Sequence, residues 1–445
     1  MQRENWTSKL GFILAASGSA IGLGNIWRFP FVAGTNGGAI FLLIYLAAII
    51  FIGYPVLVSE MTIGRKTERN PVGAFKKLAP DTPWWLVGGL GVLAGFVILS
   101  YYSVVAGWGL FYMLESVTGL APGTDFAELF VGHISGTFSP IFWHFVFMLL
   151  TVSVIGAGVV NGIQRVVKIL MPILFVLLVV LIFRSLTLEG AGAGLEFYLS
   201  PDFSQISLQT FNDAISQAFF TLSLGMGAMI TYGSYLSQDE SITDSAGYVL
   251  GFDTGIAILS GFAIFPAVFA FGLDPAAGPG LTFITLPAVF SQMPLGAFFG
   301  FLFFALLSIA ALTSAISLLE VVVAYLVDEF EYPRKKTSYI IGFIIFLVGL
   351  PPVLGYSALS DFSFLGMDVL DTYDWIANFI LLPTGGMLTA IFIGHYWGTD
   401  KAVEEANRNS MKVKVGNVYS LLIKYVAPIA IFVIMALTIF QTVTG

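Results

Sequence analysis

The sequence contains no cysteine. Disulfides, thiolate metal sites and cysteine nucleophiles are thereby excluded. Charge is also scarce: Asp, Glu, Lys and Arg make up 10% of the 445 residues, against about 25% in a soluble domain. The three histidines, His133, His144 and His395, are scattered without metal-site spacing and read as structural or interfacial. No glycine-rich loop ending in Gly-Lys-Ser/Thr occurs, which argues against an intrinsic ATP-driven pump. No nucleophile–base–orienter set is visible, so catalysis is not expected, nor is a nucleic-acid partner.

What is abundant is apolar surface. Hydrophobic residues are 57% of the chain, and the mean hydropathy is +0.90. This is the composition of a polytopic membrane protein, for which a net charge of −8 says little about partners. Residues Met1–Lys9 lead into an apolar stretch with no small-residue cleavage site, so no cleaved signal peptide is expected.

Eleven stretches approach the roughly 20 apolar residues a membrane helix needs: about 10–34, 39–62, 86–116, 140–159, 164–186, 212–236, 246–272, 295–327, 338–355, 373–397 and 420–443. The basic residues then set an orientation. Arg3 and Lys9 precede the first stretch, and Arg65, Lys66, Arg69, Lys76 and Lys77 follow the second. Arg165 and Lys168, then Arg334, Lys335 and Lys336, then Lys401, Arg408, Lys412, Lys414 and Lys424 fall on the same side. Opposite them stands only Arg184 near a span end, besides Arg28 inside the first stretch. By the positive-inside rule the N-terminus is cytoplasmic and, with an odd number of spans, the C-terminus is outside. The outer loops are the acidic ones. The one after the seventh stretch carries an apolar segment, 281–290, too short to span and expected to be re-entrant or lid-like. No outward-facing Asn-x-Ser/Thr sequon exists, because Asn5-Trp6-Thr7 lies inside; a bacterial inner membrane fits this better than a glycosylated surface.

Two of the stretches are interrupted. The first carries Ser-Gly-Ser-Ala-Ile-Gly-Leu-Gly-Asn-Ile-Trp-Arg-Phe-Pro over 17–30, and the sixth carries Thr-Leu-Ser-Leu-Gly-Met-Gly over 221–227. Broken backbone at membrane depth is tolerated only where it lines a cavity or is covered by protein. Two such breaks in corresponding halves point to the central binding site of a secondary transporter. Unwound carbonyls suit a hard cation such as Na⁺, and half-helix N-termini point N–H groups at an anion such as a substrate carboxylate. Asn25, Thr221 and Ser314 can add oxygen ligands. Taken singly, such Ser and Thr residues can equally bond their own helix or glue two helices together. Asp253, an acid within the apolar seventh stretch, is either a residue of a misplaced boundary or a fixed negative charge beside bound Na⁺. Glu60 is interfacial or accepts from freed backbone amides; Glu320 is open between the same readings.

These residues resemble the neurotransmitter:sodium symporter family, bacterial branch, over nearly the whole chain. The motifs that carry the resemblance are Gly-Leu-Gly-Asn-Ile-Trp-Arg-Phe-Pro over 22–30, Asn-Gly-Gly over 36–38, Phe-Phe-Thr-Leu-Ser-Leu-Gly over 219–225, Phe-Ile-Thr-Leu-Pro-Ala-Val-Phe over 283–290 and Ala-Leu-Thr-Ser over 311–314. The resemblance implies an all-α polytopic membrane protein in one domain, 1–445; most relatives have twelve transmembrane helices, and the eleven counted here match some bacterial relatives. It also implies a 5+5 inverted repeat, about 10–186 and 212–397, with helices 1 and 6 broken at the midplane and an extra helix at about 420–443.

It further implies two sodium sites. One would use Ala20, Asn25, Thr221 and Asp253, completed by the substrate carboxylate; the other would use Gly18, Ile21, Ala310, Thr313 and Ser314. The carboxylate would meet Leu23, Gly24 and Tyr102. The side-chain pocket would be formed by Ile98, Val105, Phe220, Ser223, Met226 and Leu318, with Ser19, Ala20, Thr221 and Ser314 also at the substrate. Arg28 and Asp374 would make an outer gate under which Phe220 is the lid; Arg3, Asp328 and Tyr235 would make the inner one.

Departures refine the expectation. Asp253 stands where many relatives carry Asn. Chloride-dependent relatives bind the anion beside it through counterparts of Tyr45, Gln217 and Thr221, so chloride-independent transport is expected, with proton antiport left open. Ser19 replaces an Asn and Met226 a Phe of a leucine-transporting member, and Met suits varied apolar guests. Gly22 stands where amine-transporting members have Asp, which favours a substrate that brings its own carboxylate. Gly162 and Pro172 match a family pattern read either as a routine kink or as local unwinding that releases sodium. The expectation is sodium-coupled symport of neutral, mainly hydrophobic L-amino acids in a cell membrane, as a monomer or weak homodimer. The alternatives are a proton-coupled carrier of the same fold and a non-transporting sensor.

Overall fold

The computed structural model describes residues 5–118, 120–278 and 280–444. Among these the chain is helical, and its one β pairing is an isolated bridge between Phe364 and Met367. Nine continuous helices are long and apolar enough to cross a membrane. Lys9–Ala20 and Gly24–Thr35, bent by 49° at a break, make a tenth when taken together. The other interrupted stretch does not reach that length: it is two short helices, Leu208–Thr221 and Ala228–Gly233, on either side of an unwound segment. Eleven spans are therefore reached only by joining both broken pairs.

Several helices outrun the apolar runs in the sequence. Ala39–Thr67 continues through its polar end to Arg65, which is buried and bonded to Glu405 Oε1 at 3.0 Å. Gly296–Phe330 continues to a left-handed stop at Glu331. A chain inside protein can carry such residues once they are paired, which hydropathy alone does not register.

The broken segments lie in the middle of the bundle. Lys9–Ala20 packs against Ile242–Ala270, Gly296–Phe330 and Arg165–Leu186, and nine of its twelve residues are buried. Trp85–Thr118 and Gly296–Phe330 form the most extensive helix pair. Two loop regions carry short helices of their own, Phe126–Ile134 and Ala191–Leu199. In the former, His133 stacks on Phe111 at 3.8 Å, and burial pushes its imidazole down to about 4. Segment 281–290 folds as a turn, Leu281–Thr285, and a helix, Leu286–Gln292. Phe283 at its tip packs on Trp108, Tyr112, Phe130 and Phe304, so the segment is anchored over the bundle.

The helix Arg165–Leu186 runs through Pro172. The irregularity expected around Gly162 lies before it: Gly158 has φ 100° and Val159–Gln164 forms a wide turn. A Cβ on Gly162 would stand 2.0 Å from Val154 O, so the close approach of the chain at this turn demands glycine.

Candidate functional site

The first break begins where Ile21 leaves the helix with ψ 102°, and the chain resumes as a wide turn at Gly24–Arg28. The second spans Leu222–Gly227, where Ser223, Gly225 and Gly227 have φ of 54°, 78° and 74°. Left-handed backbone at a non-glycine residue is strained and persists only where its surroundings hold it. Here Ser223 Oγ donates to Ser19 O at 3.0 Å, tying the two breaks together. Gly225 N donates to Glu60 Oε1 at 2.7 Å. Of the two readings of Glu60, the structure realises the second: it accepts from a freed amide.

Asp253 joins the same region. Its Oδ1 accepts from Asn25 Nδ2 at 2.7 Å and from Thr221 Oγ1 at 2.8 Å, while Oδ2 has no hydrogen-bond partner among the described residues. Asn25 Oδ1 accepts from Gly22 N at 2.9 Å. Asp253 is fully buried, so a misplaced boundary is not its explanation. A buried carboxylate with one unmatched oxygen beside unwound backbone offers oxygen ligands that suit a hard cation.

A second cluster forms across the helix Gly296–Phe330. Thr313 Oγ1 donates to Ala310 O at 2.9 Å and lies 3.2 Å from Ile21 O; Ser314 Oγ donates to Ser19 O at 2.9 Å and lies 3.4 Å from Ile21 O. Gly18 faces Thr313, whose Cβ would sit 3.4 Å from an added Cβ. All five residues of the second expected sodium set therefore converge.

Between the clusters lies a small cavity walled by Ser19, Ala20, Gly22, Gly24, Ile98 and Tyr102 on one side and by Phe220, Ser223, Met226, Ser314 and Leu318 on the other. Its free volume is about 20 Å³, room for about one water. Tyr102 hydroxyl accepts from Leu23 N at 3.1 Å. Val105, Leu23 and Thr221 are buried in the same region but do not line this cavity.

On one side of the cavity Arg28 lies over the Phe220 ring at 5.3 Å and donates to Gln217 Oε1 at 3.0 Å and Ser216 Oγ at 3.3 Å. Asp374 instead accepts from Asn378 at 2.7 Å. The two expected outer-gate residues form no direct ion pair among the described residues.

On the opposite side Tyr235 donates to Glu320 Oε1 at 2.7 Å, and Arg334 pairs with Glu320 Oε2. Trp6 closes over them, donating from its ring to Tyr232 O at 3.0 Å and from its backbone to Tyr235 O at 3.1 Å. Arg3, expected in this gate, lies outside the described residues. Asp328 Oδ2 accepts from Asn70 N at 3.0 Å.

Sequence reasoning missed Ser260, Ser317 and Arg334 as parts of these networks. Ser260 donates to Asn25 O at 2.7 Å, and Ser317 accepts from Ser19 at 2.7 Å. A signal was present: Ser260 is seven residues past Asp253 and Ser317 three past Ser314, each on the same helix face as its neighbour.

The sequence pattern of the sodium:neurotransmitter symporter family matches residues 3–132 and 129–444. The chain belongs to that family. It is 42% identical to an uncharacterized sodium-dependent transporter of Bacillus subtilis, over 96% of each chain. It is 31% identical to the sodium- and chloride-dependent taurine transporter of Canis lupus familiaris, over 84% of this chain and 68% of that one. The crystal structure of MhsT in complex with L-phenylalanine superposes with a TM-score of 0.91 at 49% identity, covering 98% of this chain and 99% of that one. The chain is therefore a multi-pass membrane transporter of a sodium-dependent family rather than an enzyme.

Proposed function

We propose that this protein couples Na⁺ entry to uptake of neutral, mainly hydrophobic L-amino acids, by alternating access about the two helix breaks, without a chloride requirement. The observation that carries the reading is the buried Asp253 carboxylate, bridging Asn25 and Thr221 between the two breaks. Na⁺ is a co-substrate here. Asp253, Asn25, Thr221 and the Ala20 carbonyl would hold one ion, joined by the substrate carboxylate; Gly18, Ile21, Ala310, Thr313 and Ser314 would hold the other. Because the carboxylate and the ion share a site, each raises the affinity of the other.

The walls support this substrate class. An added Cβ on Gly22 would lie 2.2 Å from Ser314 Oγ and 2.8 Å from Tyr102 hydroxyl, so only glycine leaves space there for a substrate's own carboxylate. Beyond it, Ile98, Phe220, Met226 and Leu318 present apolar surface and no charge. The L-phenylalanine in the MhsT crystal structure is consistent with this class.

Chloride independence is supported by two of the three donors that would face the anion: Thr221 hydroxyl donates to Asp253, and Gln217 Nε2 to Gly24 O at 2.7 Å, while the buried Tyr45 hydroxyl has no partner among the described residues. The fixed carboxylate supplies the negative charge. We assign the protein to the cell inner membrane with the basic loops and N-terminus cytoplasmic, acting as a monomer or weak homodimer.

The test is uptake of radiolabelled leucine and tryptophan into proteoliposomes under an inward Na⁺ gradient, with K⁺ replacing Na⁺ as the control. Concentrative uptake only with Na⁺ is expected. Uptake driven by a pH gradient regardless of Na⁺ would overturn the reading in favour of a proton-coupled carrier.

A further inference from the structure

At the basic-loop end of the bundle, just past Lys76 and Lys77, the helix Trp85–Thr118 leaves a groove on its outer side. Leu86, Gly89, Leu90 and Leu93 form its long wall, Trp84 lines its loop end, and Leu388 of the helix Leu382–Ile391 borders it from across. Its free volume is about 570 Å³, against about 20 Å³ in the central cavity. At roughly 30 Å³ for each water-sized group, this is space for a run of methylenes. Leu86 and Leu93 are half exposed, and a Cβ added to Gly89 would meet nothing within 4 Å, so the groove opens sideways and is not sealed inside the bundle.

The inner faces of the same two helices are tightly packed, and both reach the second helix break. An added Cβ on Gly88 would lie 2.4 Å from Pro71 O, and one on Gly91 3.1 Å from Gly227 N. On the facing helix, a Cβ on Gly385 would stand 2.3 Å from Gly225 O and one on Gly386 2.3 Å from the Phe219 ring. The groove therefore runs along the outer sides of helices that hold the break from their inner sides. Among the described residues that line it, only Trp84 carries a polar side-chain group, its ring N–H. The Trp84 ring is placed by Phe392 at 5.1 Å and Tyr396 at 5.6 Å, and an aromatic cluster at a span end is the usual marker of a membrane interface. A peptide seated in this groove would bury backbone N–H and C=O groups with no partners, at a cost in free energy; a hydrocarbon chain carries no such groups.

We propose that this groove holds one acyl chain of a bilayer phospholipid, with the Trp84 ring N–H donating to the lipid's ester carbonyl. The wall from Leu86 to Leu93 runs about 10 Å along the helix, two-thirds of the roughly 15 Å depth of one hydrocarbon leaflet. It lies at the end of a span, where a lipid of the basic-loop leaflet places its glycerol region. The chain packs on the outer sides of both helices and so steadies the unwound 222–227 segment that both of them touch.

The experiment uses the intact chain in vesicles. Phosphatidylethanolamine with a photoactivatable acyl chain should label peptides covering 86–93 and Leu388 more strongly than those covering 173–180, an exposed apolar face of the helix Arg165–Leu186 that reports ordinary lipid contact. Gly89→Phe fills the groove, and the open space at this position lets the helix form as before. In that variant labelling of 86–93 should fall about tenfold, the scale of two methylenes excluded from an apolar site, while labelling of 173–180 stays the same. Wild-type labelling of the groove no stronger than that of 173–180, or labelling undiminished in Gly89→Phe, overturns the proposal in favour of ordinary exchanging lipid. A second measurement reads the effect on the break. In detergent stripped of phospholipid, amide hydrogen exchange over 222–227 should lose protection in wild type and regain it when phosphatidylethanolamine is added, whereas Gly89→Phe should keep its protection in both conditions. Exchange in wild type that does not respond to the lipid refutes the steadying of the break.

Discussion

Glu60 Oε1 accepts a 2.7 Å hydrogen bond from the backbone N–H of Gly225, in the middle of the second helix break. The amide would otherwise be orphaned, because the backbone at Gly225, with φ 78°, leaves the helix ladder. The same glycine presses against a neighbour: an added Cβ would sit 2.1 Å from Leu382 O. Two independent constraints thus fix the break. Gly225→Ala should lower stability by about 2 kcal/mol or more, since strain and overlap add. Thermal unfolding in detergent, with and without Na⁺, measures this; a midpoint equal to wild type contradicts the account of the break.

In the chloride-independent transport proposed above, the buried Asp253 carboxylate supplies the negative charge. In Asp253→Asn the fixed charge is lost while Asn25 and Thr221 remain. Sodium-driven uptake in gluconate medium should fall by about tenfold or more, the scale of removing one buried charged partner. Chloride should restore part of it, because the anion returns the negative charge and the unpartnered Tyr45 hydroxyl can donate to it. A variant insensitive to chloride, or a wild type whose uptake collapses in gluconate, removes Asp253 from this role.

Much of this site was legible in the sequence, and for a physical reason. Glycine, serine and asparagine inside an otherwise apolar stretch, as in 17–30, cannot be accommodated facing lipid, so they mark buried backbone breaks. The partners of those breaks were harder to read. Ser260 and Ser317 act at long range in sequence, donating to or accepting from residues more than two hundred positions away. Glu320 could not be assigned because its meaning lies in Tyr235 and Arg334, on different helices. The sixth stretch, 212–236, is expected as one span interrupted at 221–227, and left-handed backbone at three residues makes that interruption, leaving helices too short to cross alone.

On the basic-loop side of the cavity Tyr235, Glu320 and Arg334 are linked in a chain, and Trp6 bonds to Tyr232 O beside it; as an inner gate, this chain would hold that side closed. Glu320→Gln keeps the shape and loses the charge that holds Arg334. A cysteine introduced at Ser223 in this cysteine-free chain should then react faster with a membrane-impermeant thiol reagent applied from the basic-loop side, by about tenfold for a lock weakened by one charged contact. Unchanged labelling means that closure on that side rests on the packing of Trp6 alone.

His133 offers a pH test outside the membrane-spanning helices. Burial pushes its imidazole down to about 4 from an ordinary value of 6.5, and it stacks on Phe111. Between those values the unfolded chain binds a proton that the folded protein does not. Stability attributable to this group is therefore constant above pH 6.5 and declines as pH falls toward 4. His133→Phe preserves the stack and removes the titration, so its unfolding temperature should fall less than that of wild type over this interval while matching it in pH dependence above 7. Parallel curves for the two proteins between pH 6.5 and 4 would show that His133 is protonated equally in both states, and that its burial does not shape the acid sensitivity of the outer helix.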